Sequence, residues 1–333
     1  MSAQLTGQPP RAALTSTEAY ELMLKGRVLM RRRGRAIIES RECLERAVSL
    51  DAANAEALGL LAECYRLHAM YGLAPPTEMM PLARATAERA LAIDPDQQQA
   101  QSSLANMAAT YDWDRPKAVR IYDRLLARHP ACVPALCERA IWLSMVPSPE
   151  IEAERGFACL RIALTVDPLN AWVVAMQGIA LLLTGKLDDA LVTARHAVDL
   201  DGGNFVARWT MVMVLAMSQR HDEAVSAATV ALPMSGRHPW LLAELAGMHA
   251  ARSDTAAAEA IHLELQQRAD LGHISWAERA AVAASAGHIE DARLWVQKAV
   301  DAHDMYVMLW KIAAWAPSRA DAECNRILRS SGF

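Results

Sequence analysis

Histidines, cysteines and one run of arginines are the residues of this chain that could support chemistry. Ten histidines and six cysteines are spread over 333 residues. A catalytic histidine needs a partner within hydrogen-bond reach, and no spacing in the sequence supplies one. The sequence also contains no GxSxG, Walker-type, GxGxxG or HExxH motif. We therefore expect a protein that is not an enzyme, with no catalytic residue and no cofactor.

Two cysteines lie close enough in the sequence to raise the question of a metal site. Cys132 and Cys137 are 5 positions apart, whereas a structural zinc site takes about four closely grouped ligands. The pair would need ligands from elsewhere in the chain. His129 and His238 each precede a proline, which is typical of a turn. We expect no metal site and, since no CxxC pair or export signal is present, reduced thiols in a cytoplasmic protein.

The arginine run could bind anions. Arg31, Arg32, Arg33 and Arg35 fall in one predicted turn. The run is either a solvated loop between helices, which we favour, or a contact with an acidic partner or nucleic acid. The formal net charge of the whole chain is -4, which argues against a general nucleic-acid binder. No apolar stretch reaches about 18 residues, so we expect no membrane partner.

The spacing of small residues predicts the elements that carry these groups. Hydrophobic residues make up 53% of the chain and aromatic residues only 5%, and the abundance of Ala and Leu favours helix over sheet. Small residues recur at steps of 34, at Ala190, Ala224, Ala258 and Ala292. An earlier step of 43, from Ala47 to Ala90, contains a Pro-rich insertion. This period indicates helix-turn-helix units that must stack, because no unit buries its apolar face alone.

This pattern resembles the tetratricopeptide repeat (TPR) family over nearly the whole chain. Turns such as "DPDQ" (Asp94–Gln97) and "DPLN" (Asp167–Asn170) follow the second helix of a unit, as the family requires. The resemblance implies an all-α, right-handed superhelix of about eight units with C-terminal capping helices. We place the units at 18–50, 55–93, 98–128, 133–166, 171–200, 205–234, 239–268 and 273–302. The corresponding domains are a flexible segment at 1–17, the superhelix at 18–304 and the capping helices at 305–333.

A narrower resemblance concerns one bacterial branch of the family. "EAYELMLKGRVLM" (Glu18–Met30), the Pro-rich segment from Tyr71 and the closing "MLWKIAAWAPSRADAECNRILRSSGF" look like parts of that branch. Its TPR regions usually follow adenylate cyclase domains, winged-helix domains of transcription regulators or protein kinase domains. Ala313 to Ala316 depart from its closing pattern, which often has Asp-Pro and an aromatic residue. The resemblance implies a regulatory module in bacterial signalling or transcription control, free-standing or part of a longer protein.

The TPR resemblance also implies a concave groove lined by the first helix of each unit. The groove positions are polar in the early units and apolar in units five to seven, where three tryptophans occur in successive units. Aromatic side chains exposed in a concave surface are typical anchor sites. We therefore predict that a partner helix or peptide binds an apolar groove formed by Trp172, Ile179, Trp209, Met213 and Trp240.

Alternative interpretations of the tryptophans remain open. They could fill the core, or the chain's own C-terminal segment, with Trp310 and Trp315, could occupy the groove. A channel lined by aromatic residues could also bind a small molecule and regulate an attached output domain such as a cyclase. The expected partner is a protein or peptide, without nucleic acid bound by this chain alone and without a membrane. A homo-oligomer is one of the oligomeric states that the sequence allows.

Overall fold

The structure is a computed structural model that describes residues 11–34, 36–145 and 149–330. Within these ranges every regular element is helical, and no β-strand occurs. Sixteen helices in the described ranges follow one another as eight pairs. They are α1 Arg11–Arg32 with α2 Ala36–Leu50, α3 Ala55–Met70 with α4 Pro76–Ile93, α5 Gln98–Thr110 with α6 Arg115–Arg128, α7 Val133–Ser144 with α8 Pro149–Val166, α9 Ala171–Leu183 with α10 Leu187–Leu200, α11 Phe205–Met217 with α12 His221–Met234, α13 Pro239–Ala251 with α14 Thr255–Leu271, and α15 Trp276–Ala286 with α16 Ile289–Asp301. The all-α repeat architecture expected from the 34-residue period is confirmed.

The chain after α16 is less regular. Two 3-10 turns, Met305–Leu309 and Ala313–Trp315, lead to the short helices α17, Ala316–Ala320, and α18, Ala322–Ser330. The second turn packs on α13, while α17 packs on α15 and α18 on α16. At the other end α1 begins at Arg11, earlier than the start of the predicted first unit. The division into superhelix and capping segment stays a prediction, and residues 1–10 and 331–333 lie outside the described residues.

Small residues allow neighbouring helices to pack closely, both within a unit and between units. Ala190, Ala224, Ala258 and Ala292 are fully buried in α10, α12, α14 and α16. On the first helix α9, a Cβ added to Gly178 would lie 3.0 Å from Cγ2 of Thr210 on α11, the first helix of the next unit. The 34-residue period therefore marks the positions at which neighbouring helices leave room only for a small side chain.

Side-chain caps start several of the first helices. Asn54, Asn170 and Asn204 precede α3, α9 and α11, and each side-chain oxygen accepts a hydrogen bond from a backbone N–H of the first turn. Such caps satisfy backbone donors that have no partner within the helix. They also end the preceding turn at a defined residue, which fixes where each unit begins. None of the helices in the described ranges combines the length and apolarity that crossing a bilayer requires.

The superhelix closes on itself. Tyr71, at the end of α3, stacks on Trp240 of α13, with ring centroids 5.1 Å apart. His303, just after α16, stacks on Trp113, which precedes α6, at 4.4 Å. Units two and three therefore contact units seven and eight across the inside of the superhelix, and this closure shapes both the interior and its mouth.

Candidate functional site

Aromatic side chains fill the interior between the late units. Trp209 and Trp240 pack at a centroid distance of 4.5 Å, and Tyr306 stacks on the other side of Trp240 at 6.0 Å. Tyr306 in turn contacts Trp315 of the C-terminal segment, which is fully buried. Side chains of the protein itself therefore fill the space that the sequence predicts as a groove for a partner peptide.

The five predicted groove residues do not form an open surface in this structure. Four of them are buried, with exposed fractions of 7% for Ile179, 4% for Trp209, 1% for Met213 and 3% for Trp240. Trp172 is half-buried and lies apart, beneath the guanidinium of Arg33. The expected accessibility is thus corrected: facing walls of a tightly closed superhelix cover each other, so apolar groove positions become core. Partner binding at these residues stays a prediction that would require the interior to open.

The interior also contains carboxyl groups. Glu244 of α13 is fully buried, and burial raises its pKa to about 8, although the backbone N–H of Ala314 opposes this shift. Glu278 and Asp304 are buried as well, and the hydroxyl of Ser275 lies against both carboxyl groups. Burial and the nearby charge of Asp304 raise the pKa of Glu278 well above its usual value. These groups favour a protonated, uncharged interior.

The buried carboxyl of Glu244 should make the fold less stable as pH rises towards neutrality and slightly above it. Its pKa is near 4.5 in the unfolded chain and about 8 in the folded chain. The folded state therefore holds more protons in this window, so stability falls as pH rises from about 4.5 to about 8. We expect Glu244→Gln to reduce this fall and to raise the free energy of unfolding near the upper end by about 1–3 kcal/mol.

Denaturant titrations at several pH values would measure this effect. Glu154→Gln is a matched control, because Glu154 is an exposed partner of Arg161 on α8. We expect the control to leave the pH profile unchanged. An identical profile for Glu244→Gln and the unmodified chain would contradict the assignment of a buried, protonated carboxyl.

A buried polar network joins units two to four. Glu138 of α7 accepts hydrogen bonds from Arg66 of α3 at 2.9 Å, from Tyr122 of α6 at 2.8 Å and from Ser102 of α5 at 3.1 Å. Arg66 is 2% exposed and also lies 3.8 Å from Glu63. Burial raises the pKa of Glu63 even though Arg33 and Arg66 act against the shift. All three groups that donate to Glu138 are used in holding helices together, so we assign the network a structural role.

The cysteines are not arranged for chemistry. All six are free thiols, and Cys137 is buried while Cys132 is half-buried. Burial raises the pKa of both, and it raises the pKa of Cys64 to about 12. A thiol that stays protonated at neutral pH is a poor nucleophile and a poor metal ligand.

One large cleft remains open at the mouth of the superhelix. Its volume is about 860 Å³, and it lies among α1, the turn after it, the first half of α3, the start of α7 and the turns that precede α5, α9 and α11. The half-buried Trp172 forms part of its wall, beside side-chain amides such as Gln98 and Asn204. Its charged residues are three arginines and six acids, namely Arg27, Arg31, Arg33, Glu56, Glu63, Asp94, Asp96, Asp167 and Asp201.

Ion pairs leave the cleft with an excess of negative charge. Arg27 pairs with Glu56, and Arg33 lies 3.7 Å from Glu63. Arg31 and Arg32 are exposed, in agreement with a solvated turn, and Arg35 lies outside the described residues. Among the described residues of the run, Arg31 is therefore the exposed cation that lies beside the acidic rim.

The rim carries aspartates at three turns. Asp94, Asp167 and Asp201 end α4, α8 and α10, and each carboxylate accepts a local hydrogen bond, from the N–H of Asp96, from Nδ2 of Asn170 and from the N–H of Gly203 respectively. These bonds fix the turns but leave the charges at the mouth of the cleft. The repeated Asp-containing turns of the sequence carry this signal, but within a single unit they indicate only the end of a helix.

Comparisons with known proteins identify the fold. No protein-family model matches the sequence, and no curated protein matches it. The human IFIT1 dimer with m7Gppp-AAAA superposes with a TM-score of 0.58 at 14% identity, over 85% of this chain and 72% of that chain. A tetratricopeptide repeat protein from Parabacteroides merdae ATCC 43184 superposes with a TM-score of 0.50 at 15% identity, over 84% of this chain and 99% of that chain. At such low identity these similarities show a shared helical-repeat fold.

Proposed function

We propose that this chain, which has the fold of a tetratricopeptide-repeat protein, is a non-enzymatic scaffold that binds a partner protein in the polar cleft. The ligand we infer is an extended segment that carries basic side chains. The observation that carries the proposal is the acidic rim of Asp94, Asp167 and Asp201 around an open cleft of about 860 Å³. Opposite charge on ligand and rim would both steer the encounter and select the partner.

The lining of the cleft suits an extended peptide. Side-chain amides such as Gln98 and Gln99 can donate to and accept from a peptide backbone, which repeats donors and acceptors at regular intervals. The exposed part of Trp172 offers an apolar contact for one side chain of the segment. The binding residues therefore differ from the apolar set that the sequence predicts, and the buried interior acts as the rigid support.

Nucleic acid is a poorer candidate ligand. IFIT1 was solved with capped RNA, but that ligand belongs to IFIT1. Nucleic-acid affinity depends on cations that neutralise phosphates. In this cleft Arg27 and Arg33 lie within 4.0 Å of Glu56 and Glu63. Asp96 is paired with Arg128, which leaves Asp94, Asp167 and Asp201 beside Arg31. The charge balance therefore favours a basic protein segment over a polyphosphate backbone.

The cellular setting is part of the proposal. The likeness of the first helix, the Pro-rich second unit and the closing segment to TPR regions of bacterial regulators supports a cytoplasmic role in signalling or transcription control. We infer that the chain presents the cleft to, or is linked to, an output protein such as a cyclase, kinase or winged-helix regulator. A two-hybrid screen against such proteins from the native host tests this; no interaction with any of them would contradict it.

A second candidate function is the sensing of a small molecule. The cleft volume lies within the range of about 300–1,000 Å³ that is common for small-ligand sites, and Arg33 with Trp172 offers a charged group beside an aromatic face. Thermal-shift screening against metabolites separates the two functions. A stabilising metabolite together with no peptide binding would favour sensing over the scaffold.

We expect the affinity for basic peptides to depend on the aspartate rim. A random peptide library displayed on phage and selected on the full chain should enrich sequences rich in Lys and Arg. The triple variant Asp94→Asn, Asp167→Asn, Asp201→Asn keeps side-chain acceptors for the turns but removes three charges. It should weaken an enriched peptide about tenfold, because three screened ion pairs contribute about 0.5 kcal/mol each. Fluorescence anisotropy with labelled peptide measures the change.

A matched triple variant keeps the same change in net charge away from the cleft. Glu88, Asp188 and Asp189 are exposed on α4 and α10 and do not line it, so Glu88→Gln, Asp188→Asn, Asp189→Asn should bind within about twofold of the unmodified chain. Equal weakening by both triple variants would show that the net charge of the chain, and not the aspartate rim, accounts for the change in peptide affinity. Enrichment of acidic or uncharged peptides would overturn the proposal.

A further inference from the structure

Two histidines and two carboxylates meet where unit seven packs on unit eight. Glu259 and His262 lie on α14, three residues apart, while His288 precedes α16 and Asp291 lies in its first turn. Ligand atoms of His262, His288 and Asp291 all lie within 4.8 Å of one another. The two imidazole rings stack with centroids 4.3 Å apart. Side chains three residues apart share one face of a helix, so each element contributes a pair of groups to the same place.

We propose that His262, His288 and Asp291 form a binding site for a divalent transition-metal ion such as Zn²⁺. Two imidazoles and one carboxylate are a donor set that zinc accepts, with water in the remaining position. Their ligand atoms already lie within 4.8 Å of one another, and the stacked rings must rotate about their side-chain bonds before a nitrogen of each faces the same ion. The site lies outside the polar cleft, and the proposal does not depend on the proposed function.

Glu259 is placed to orient one of the ligands. Its carboxylate lies 2.6 Å from Nε2 of His288. If the ring donates Nε2–H to Glu259, Nδ1 is the nitrogen that is left to bind an ion. Carboxylates commonly hold metal-binding histidines in this way. On the other ligand, the side-chain nitrogen of Gln266 donates to Nε2 of His262 at 2.7 Å, and ion binding at this atom would replace that bond.

The surroundings suit entry and retention of an ion. His262 is buried, and its desolvation, helped by the neighbouring His288, lowers its pKa, so that the ring is neutral and its lone pair available. The side chains of His288 and Glu259 are 41% and 38% exposed, which leaves a path from solvent. A cation of α15, Arg279, acts on His262 but is stacked on Trp295 at 4.2 Å, and the charges of Asp291 and Glu259 act on His262 in the opposite sense. A bound ion would link α14 to the start of α16.

Calorimetric titration of the full chain with Zn²⁺ alone, after treatment with a chelator, tests the proposal. We expect one ion per chain and a rise of at least about 2 °C in the midpoint of thermal unfolding. His288→Gln and Asp291→Asn should each weaken zinc binding by about 10- to 100-fold. Both residues lie at the surface side of the site, so these variants should remain folded without metal.

His249→Gln is the matched control. His249 pairs with Asp254 at 3.0 Å elsewhere on unit seven, and this pair has no third ligand among the described residues. The control should bind zinc as the unmodified chain does. Absence of stoichiometric zinc binding, or binding that His288→Gln and Asp291→Asn leave unchanged, would overturn the proposal.

Discussion

Replacing Trp240 with alanine is expected to lower the free energy of unfolding by about 3–5 kcal/mol. The indole is 3% exposed and lies among the rings of Tyr71, Trp209 and Tyr306. Its removal would leave a cavity that side chains from three parts of the chain border, and they cannot collapse together without separating other contacts. The loss should appear in urea or guanidinium titrations followed by far-UV circular dichroism.

Trp172→Ala is the matched control for this prediction. The same atoms are removed, but Trp172 is half-buried at the wall of the cleft, so the cost should be less than half that of Trp240→Ala. Leu271→Ala, at a side chain that is 90% exposed, should change stability by less than about 0.5 kcal/mol. If Trp240→Ala kept nearly full stability, the interior would be open in solution, and the groove predicted from the sequence would be available to a partner.

Replacing Glu138 with alanine should be about as costly, again about 3–5 kcal/mol. The carboxylate accepts hydrogen bonds from Arg66, Ser102 and Tyr122, and the guanidinium of Arg66 is 2% exposed. Truncation would leave a buried cation with only the more distant Glu63 beside it, at 3.8 Å. Arg66 and Glu138 lie 72 residues apart in sequence. The loss of stability therefore measures the contribution of the contact between units two and four.

A second variant distinguishes lost charge pairing from lost packing. Arg66→Met with Glu138→Gln removes both charges while an amide oxygen remains for Tyr122, so this double variant should cost less than half as much as Glu138→Ala. Glu154→Ala removes one partner of the exposed Arg161 pair and should cost less than about 1 kcal/mol. A cost for Glu138→Ala as small as for Glu154→Ala would show that the network adds nothing to stability.

The interior and the cleft have different roles in this arrangement. The aromatic cluster links unit two to unit seven, the Glu138 network joins units two to four, and the turns before α5, α9 and α11 lie together around the cleft. A site built on such a rigid support loses little conformational entropy when a ligand binds. We therefore expect Trp240→Ala and Glu138→Ala to impair peptide binding indirectly, in proportion to the loss of folded protein.

Local patterns in the amino-acid sequence were sufficient to predict the helices and their pairing. Buried Ala190, Ala224 and Ala258 recur every 34 residues, and Asn side chains cap first helices such as α9 and begin them where the pattern indicates. These features depend on interactions within one unit or with its nearest neighbour. The repeat spacing contains that information directly, which is why the eight pairs could be located without coordinates.

The accessibility of the inner residues depended on tertiary structure. Trp240 occupies a groove position by its place in the repeat, but the contact with Tyr71, far earlier in the chain, buries it. The same closure leaves the polar cleft as the open site, and the packing of α14 against α16 brings His262 beside His288 and Asp291. The curvature of a superhelix accumulates from small rotations between successive units. The sequence of a single unit does not determine their total. Contacts across the superhelix therefore exist only once the whole array is folded.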